Sequence, residues 1–432
     1  MELRTRARVQ LEHAREQTVA VLRPLGDSEL ERQVSPLMSP LCWDLAHIAH
    51  YEELWLLRSL VDATPTDPRF DDLYDAFRHP RRERAALDIL TPCAARQFAS
   101  DVRGRVLDVL DRIPLDDRPL LHDLFVYGMV IQHEHQHRET MLATIGLMDR
   151  AYPDGAAPPL PAAPAGSGAE RPAEVRLSGG SVLLGTDEEP WAYDNERPAH
   201  RVELAPFWLD VTPVTNAAYR AFVEAGGYDD ERLWSEAGWG WRLEAGLEHP
   251  QGWQPEGDGA WSVRRFGHDL DLAPDEAVEH VCFHEADAFA RWAGRRLPTE
   301  AEWEFAASGA PDGTRRRFPW GDDDPTPSHA NLGGARLGPA PVGAHPAGAS
   351  PAGVLGLIGD VWEWTATTFT GYPGFEPFPY HEYSEVFFGD EYRVLRGGSW
   401  ATDPSACRAT FRNWDYPIRR QIFCGFRCAR DD

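Results

Sequence analysis

Between Ala156 and Ala173 the chain runs Ala-Ala-Pro-Pro-Leu-Pro-Ala-Ala-Pro-Ala-Gly-Ser-Gly before its polar end. Proline fixes φ and removes backbone donors, so this stretch suits a semi-rigid linker and no helix or sheet. It divides 432 residues, enough for two or three cored domains, into parts of different character. The expected organisation is a helical bundle over 1–150, a linker over 151–173 and a compact α+β domain over 174–432.

The first part is patterned for long helices. Leu11, Ala14, Thr18, Val21 and Leu22 fall on one side of a helix over residues 3 to 24. Ser39-Pro40 reads as an N-cap followed by proline at the first helical position, opening a helix with Trp43, Asp44, His47, His50, Leu54 and Leu57. Thr91-Pro92 opens another, to Arg112, and a fourth is expected from Asp117 to Leu147. Four such helices suggest an antiparallel bundle, which can seat metals between facing side chains.

The fourth helix carries His133-Glu134-His135-Gln136-His137. Val126, Val130, His133, His137 and Met141 recur at three- and four-residue steps, so the two outer histidines share the apolar face. His135 lies about 200° round and cannot join them. A lone buried histidine is ordinarily a core residue, but two imidazoles at i and i+4 form a pair of metal ligands. A third can come from the Trp43 helix, where spacing leaves His47 and His50 equally placed. Imidazole suits zinc as well as iron, so ligand type does not choose the metal. The run also matches HExxH, with Glu134 as general base of a zinc peptidase, but no metzincin-type third histidine follows.

Charge and composition narrow the function further. Basic residues number 43 and acidic residues 69, a net charge of −26, which repels nucleic acid and anionic membrane surfaces. No window approaches the ~18 apolar residues of a membrane span, and the charged N-terminus has no signal core. Six cysteines (Cys42, Cys93, Cys282, Cys407, Cys424, Cys428) follow no disulfide rhythm, so reduced thiols in the cytoplasm are expected. After the linker, Ser181-Val-Leu-Leu and Arg201-Val-Glu-Leu alternate with turns. Short helices are expected after Thr215, over Glu285–Ala293 and after Thr299, where Glu302 completes a capping box.

Several runs of the second part are specific: Trp208-Leu-Asp-Val-Thr-Pro-Val-Thr-Asn, Arg296-Leu-Pro-Thr-Glu-Ala-Glu-Trp-Glu-Phe-Ala, Gly359-Asp-Val-Trp-Glu-Trp, Val394-Leu-Arg-Gly-Gly-Ser-Trp and Gly425-Phe-Arg-Cys-Ala. Together they resemble the formylglycine-generating-enzyme-like (sulfatase-modifying factor) domain, of C-type-lectin-like fold. The first part, with Trp43-Asp-Leu-Ala-His47 and His133-xxx-His137, resembles a DinB-like four-helix bundle. This pairing resembles the sulfoxide synthases of ergothioneine biosynthesis (the EgtB type). Arg412-Asn-Trp-Asp-Tyr-Pro-Ile-Arg-Arg-Gln-Ile-Phe and Phe378-Pro-Tyr-His-Glu-Tyr-Ser-Glu-Val-Phe-Phe-Gly resemble its actinobacterial branch.

That resemblance implies a mononuclear non-haem Fe(II) held by His47, His133 and His137, with His50 a neighbour. It implies O2-dependent joining of the γ-glutamylcysteine sulfur to the imidazole C2 of hercynine, giving a sulfoxide. By motif, Tyr380 would be catalytic, with Tyr383, Gln136, Asn413, Trp414 and Asp415 at the substrates. Arg81, Arg84 and Arg419 would hold the thiol substrate's carboxylates. Relatives of the second fold can carry structural Ca²⁺. The residues agree chemically: a tyrosine hydroxyl can donate a proton, and aromatic faces suit a quaternary ammonium. Against these stand bland readings: an interface Tyr380, a core Trp414, and a surface salt bridge from Asp415 to the arginines.

Three rivals remain. A formylglycine-generating oxidase would need a cysteine pair, but Cys407 stands alone between Ser399 and Arg412. A lectin-like binding module fused to a bundle would hold no metal. A related synthase would take cysteine, or the ovothiol-type substrate, in place of the expected pair.

Overall fold

The computed structural model describes residues 3–152, 172–309 and 315–432. Most of the expected linker, 153–171, lies outside the described residues. The chain divides into two compact units, residues 1–154 and 155–432.

The first unit is helical. Its main helices are α1 (Leu3–Leu22), α2 (Leu41–Glu52), α3 (Pro92–Arg112) and α4 (Phe125–Gly146). α1 buries Ala7, Leu11, Ala14, Thr18 and Leu22, the stripe its periodicity defines. α3 starts as expected, the Thr91 hydroxyl accepting from the Ala94 N–H above Pro92. α2 starts differently. Pro40 is its N-cap and has no side-chain acceptor with which to cap, and the buried Ser39 hydroxyl accepts from Arg84 at 2.8 Å. α2 runs on into a π-helical segment, Glu53–Arg58. The expected fourth helix is shorter than its pattern: Pro119–Leu124 is a 3₁₀ turn, and Asp123 and Leu124 take left-handed φ of 49° and 56°. That break ends the helical run before α4 begins.

The second unit is built from short strands and loops. β1 (Glu174–Leu177), β4 (Phe207–Asp210) and β12 (Ala429–Asp431) form one antiparallel sheet, which joins the start of the unit to its end. β2 (Gly180–Leu184) pairs with β3 (His200–Leu204), containing the two runs read as strands. β5 (Trp253–Pro255), β6 (Trp261–Arg265) and β7 (His268–Asp271) make an antiparallel meander. β8 (Trp362–Thr368), β9 (Arg393–Arg396), β10 (Asn413–Asp415) and β11 (Cys424–Gly425) form the fourth sheet, in the order β10-β9-β8-β11.

The helices α5 (Asn216–Glu224), α7 (Phe283–Trp292) and α8 (Glu300–Ser308) are those the sequence signals, α8 with the Thr299–Glu302 capping box. α6 (Glu236–Ala245), capped by Ser235, is an additional one. Trp303 and Ala306 of α8 pack with Phe207, Leu209, Leu357 and Ile358 in the core. Four buried charge pairs cross this core: Arg396–Glu304, Arg408–Glu196, Arg412–Glu300 and Arg427–Glu363. Gly397 is required by the backbone. Its φ is +97°, and a Cβ there would lie 2.5 Å from the Leu357 carbonyl.

Candidate metal centre and aromatic substrate loops

α2 and α4 bring together His47, His133 and His137. One ligand nitrogen from each ring lies within 4.8 Å of the others, and among the described residues no other group of three His, Cys, Asp or Glu converges this way. The ring centroids stand 5.2, 4.7 and 4.6 Å apart for the 47–133, 47–137 and 133–137 pairs. His50 turns away and meets Asp71 through Nε2 at 2.9 Å, outside the group of three. His135 lies near His13, with ring centroids 5.9 Å apart.

The surroundings of the three rings are specific. His47 Nδ1 is 2.7 Å from the Tyr74 carbonyl, and its ring stacks on Trp43 at 4.8 Å. His133 stacks on Tyr51 at 3.8 Å and 16°. Asp44, one turn before His47, places Oδ1 3.3 Å from His137 Nδ1. That contact lies outside hydrogen-bond geometry, and the buried Nδ1 atoms of His133 and His137 and Oδ2 of Asp44 have no hydrogen-bond partner. Burial, helped by the neighbouring imidazoles, holds His47 and His133 well below the usual histidine range. Neutral, convergent imidazoles with unpaired buried nitrogens fit a divalent metal, which needs the deprotonated ring.

Glu134 does not face this cluster. It accepts from Arg15 Nε and Arg103 Nη2, each at 2.7 Å. Burial would raise its pKa, but the two guanidiniums outweigh that and lower it to about 2. A carboxylate so engaged is no general base, which removes the peptidase reading of HExxH.

The other candidates of the first unit are spread around α2 and the turn Arg81–Ala86. The buried Arg84 donates to the Ser39 hydroxyl and the His79 and Ala76 carbonyls, and lies 3.6 Å over the Trp43 ring. Burial lowers its pKa to about 10. Arg81 is partly exposed and donates to the Leu37 carbonyl at 3.2 Å. Gln136 is half-buried, beside His137 on α4.

The candidates of the second unit do gather. Trp414 on β10 stacks on Phe369 at 4.2 Å and 8° and stands edge-on to Tyr383 at 6.2 Å. Tyr383 stacks on Tyr193 at 4.4 Å and lies edge-on to Tyr380 at 6.1 Å. Asn413 and Asp415 flank Trp414 on β10, and Asp415 Oδ1 is 3.2 Å from Arg419 Nε. The loop bearing both tyrosines is tied down by Asp194, which accepts from the Ser384 hydroxyl at 2.5 Å and the Phe378 N–H at 3.3 Å. Tyr51, Tyr74, Tyr193 and Asp194 carry no signal in the sequence, and Asp44 is read there only as a residue of its helix. Asp44 alone left a signal there, three residues before His47 and so on the same helix face.

Cys407 packs in the core of the second unit among Trp303, Phe318 and Ala409, and is no exposed nucleophile. Among the described residues no helix is long and apolar enough to cross a membrane.

Residues 10–141 match the DinB superfamily, and residues 161–432 match the sulfatase-modifying factor enzyme 1-like domain. The chain is 51% identical to hercynine oxygenase of Mycolicibacterium thermoresistibile, over 98% of this chain and 94% of that one. It is 49% identical to hercynine oxygenase of Mycolicibacterium smegmatis, over 97% of each. Formylglycine-generating enzyme of Streptomyces coelicolor is 37% identical over 64% of this chain and 96% of its own. Both matched regions occur in order, and the near-complete overlap with relatives at about half identity shows that the chain belongs to the hercynine oxygenase family.

Proposed function

We propose that this protein is a non-haem Fe(II)-dependent oxidoreductase. It joins γ-glutamylcysteine to the imidazole C2 of hercynine with O2, and gives γ-glutamyl-hercynylcysteine sulfoxide in ergothioneine biosynthesis. The observation that carries the reading is the convergence of His47, His133 and His137 in a chain of this family. Fe(II) held by these three rings would supply the activation of O2, and three neutral ligands leave positions open for substrates.

The remaining roles belong to the protein's own side chains. Tyr380 holds a hydroxyl proton for the oxygen chemistry, and Tyr383 backs it edge-on. Trp414 and Asn413 of the second unit meet hercynine, with the aromatic face of Trp414 suited to a trimethylammonium group, and Gln136 of the first unit is a substrate contact next to His137 in the chain. In the second unit, Asp415 and Arg419 offer a carboxylate for an ammonium and a guanidinium for a carboxylate of the thiol substrate. In the first unit, Arg81 is a guanidinium for a substrate carboxylate, and Arg84 adds the N–H groups left over from its three internal bonds. A structural Ca²⁺ in the second unit rests on fold resemblance alone. The reaction uses reduced thiols and small polar substrates, consistent with a cytoplasmic enzyme and no nucleic-acid or membrane partner.

The test is anaerobic reconstitution with Fe(II), followed by mass spectrometry of the products formed from γ-glutamylcysteine, hercynine and O2. Sulfoxide product is expected. Tight zinc with no O2 consumption would overturn the reading, and a faster reaction with free cysteine would reassign the thiol substrate.

A further inference from the structure

Away from the three histidines, the bundle of the first unit encloses a second polar cluster with no assigned role. Arg15 of α1, Glu52 of α2, Arg103 of α3 and Glu134 of α4 form a closed ring of alternating charge, one member from each main helix. Arg103 reaches Glu52 through Nε at 2.6 Å and Nη2 at 3.1 Å, and Glu134 through Nη2 at 2.7 Å. Arg15 reaches Glu52 through Nη2 at 2.8 Å and Glu134 through Nε at 2.7 Å. The remaining guanidinium donors reach the helix carbonyls of Ala99 and Leu11. Glu52 and Glu134 are 0% and 2% exposed, so this is an interior feature and no surface salt-bridge net.

Such a ring is a poor way to gain stability. Buried ion pairs roughly break even against apolar residues of the same volume, since desolvation offsets their attraction. They do fix geometry, because each two-pronged guanidinium–carboxylate contact tolerates little sliding. The two carboxylates sit on the helices that carry the metal ligands: Glu52 is five residues after His47, and Glu134 is next to His133. An all-apolar seam between α2 and α4 would leave their axial register softer, and a metal site needs its donors held within about 0.5 Å.

We propose that the Arg15–Glu52–Arg103–Glu134 ring is a register clamp that sets His47 against His133 and His137 for metal binding. Its members are positioning residues, and the inference rests on the metal reading above.

The test uses the full chain and Co(II) as a spectroscopic probe, alongside Fe(II) affinity and thermal unfolding of the metal-free protein. In the variant Arg15→Met, Glu52→Leu, Arg103→Met, Glu134→Leu the metal-free midpoint is expected to hold or rise. Metal affinity should fall ten- to a hundredfold, the range seen when outer-shell support is lost, and the Co(II) ligand-field bands should broaden. Arg103→Lys keeps the charge and removes the fork, and should weaken metal binding without the fourfold change. It decides the matter should the fourfold variant fail to fold. Wild-type affinity and an unchanged Co(II) spectrum in Arg103→Lys or in a folded fourfold variant would overturn the clamp. A wild type that binds no metal overturns the metal reading itself, and the clamp with it.

Discussion

His47 Nδ1 lies 2.7 Å from the backbone carbonyl of Tyr74, so the ring donates its proton there and presents Nε2 to the other two histidines. A carbonyl can only accept, which fixes the tautomer. His50, three residues on, spends its Nε2 on Asp71. His47→Ala and His133→Ala should therefore abolish retention of one Fe(II) per chain, while His50→Ala and His135→Ala largely keep it. Metal analysis after anaerobic reconstitution and desalting checks this. Equal loss from His50→Ala would show that the third ligand has been misassigned.

Asp44 offers His137 a carboxylate at 3.3 Å and keeps one buried oxygen unpaired. Rotation of either side chain by a small angle would make a full hydrogen bond once the far nitrogen is engaged. Asp44→Asn preserves shape and removes the charge, so Fe(II) affinity should fall about tenfold or more. Competition with a chromophoric chelator measures it. An unchanged affinity would leave Asp44 with no part in orienting the ring.

The tyrosine loop gives a sharper contrast. Tyr383 is stacked on Tyr193, and Tyr380 stands edge-on to Tyr383. Tyr380→Phe keeps packing and removes one hydroxyl, so substrate binding should survive while sulfoxide formation drops by ~10²-fold. Oxygen would then be diverted to the bare sulfur. Product analysis of both Phe variants decides between them. A fully active Tyr380→Phe beside a dead Tyr383→Phe would swap their roles.

Arg419 is held by Asp415 at 3.2 Å, so the pair is expected to recognise the zwitterionic thiol substrate as a unit. A charge-assisted contact in a partly desolvated cleft is worth ~1.5–3 kcal/mol, which corresponds to roughly a ten- to hundredfold rise in KM on losing one arginine. The ratio of kcat/KM for γ-glutamylcysteine over cysteine should fall in Asp415→Asn and Arg419→Ala. A wild type that prefers cysteine, or an unchanged ratio in both variants, would dismiss the assignment. Arg84→Ala should cost stability as well, since its guanidinium covers Trp43.

The carboxyl that anchors this loop should shape the pH dependence of stability. Burial, only partly countered by the Ser384 hydroxyl and the Phe378 N–H, pushes Asp194 up to about 6 from 3.8. Between those values the folded protein holds a proton that the unfolded chain has released, so this residue makes stability fall as pH rises from about 4 to 6. Asp194→Asn should flatten that slope in thermal midpoints measured across the same window. An unaltered slope would show that the carboxyl titrates normally.

Much of this was legible in the sequence because periodicity and motif act on different scales. The His133–His137 pair and the α3 cap are local, and the structure has them where the spacing put them. The π-helical segment is not visible in a helical wheel. Its added residue per turn shifts the register, so Leu56 is fully buried while Leu54 is half-exposed. The start of α4 is not legible in the pattern because a left-handed Leu124 carries no composition signal. The runs that carry the family resemblance hold much of the core: Glu304 with Arg396, Glu363 with Arg427 and with the Trp303 indole. They identify the scaffold, while Tyr380 and Tyr383 come from a less regular segment and Trp414 from the three-residue strand β10.

The histidine trio contains no carboxylate, and that sets the sign of the field it can create. Three neutral imidazoles cancel none of the charge on a divalent ion, so both positive charges would face whatever enters. In a chain of net −26 this is a local reversal of polarity, able to draw in a thiolate and its carboxylates against the average repulsion of the surface. Capture of the anionic substrate should accordingly not weaken as ionic strength rises, because salt screens the surface repulsion while a shielded ion at short range escapes most screening.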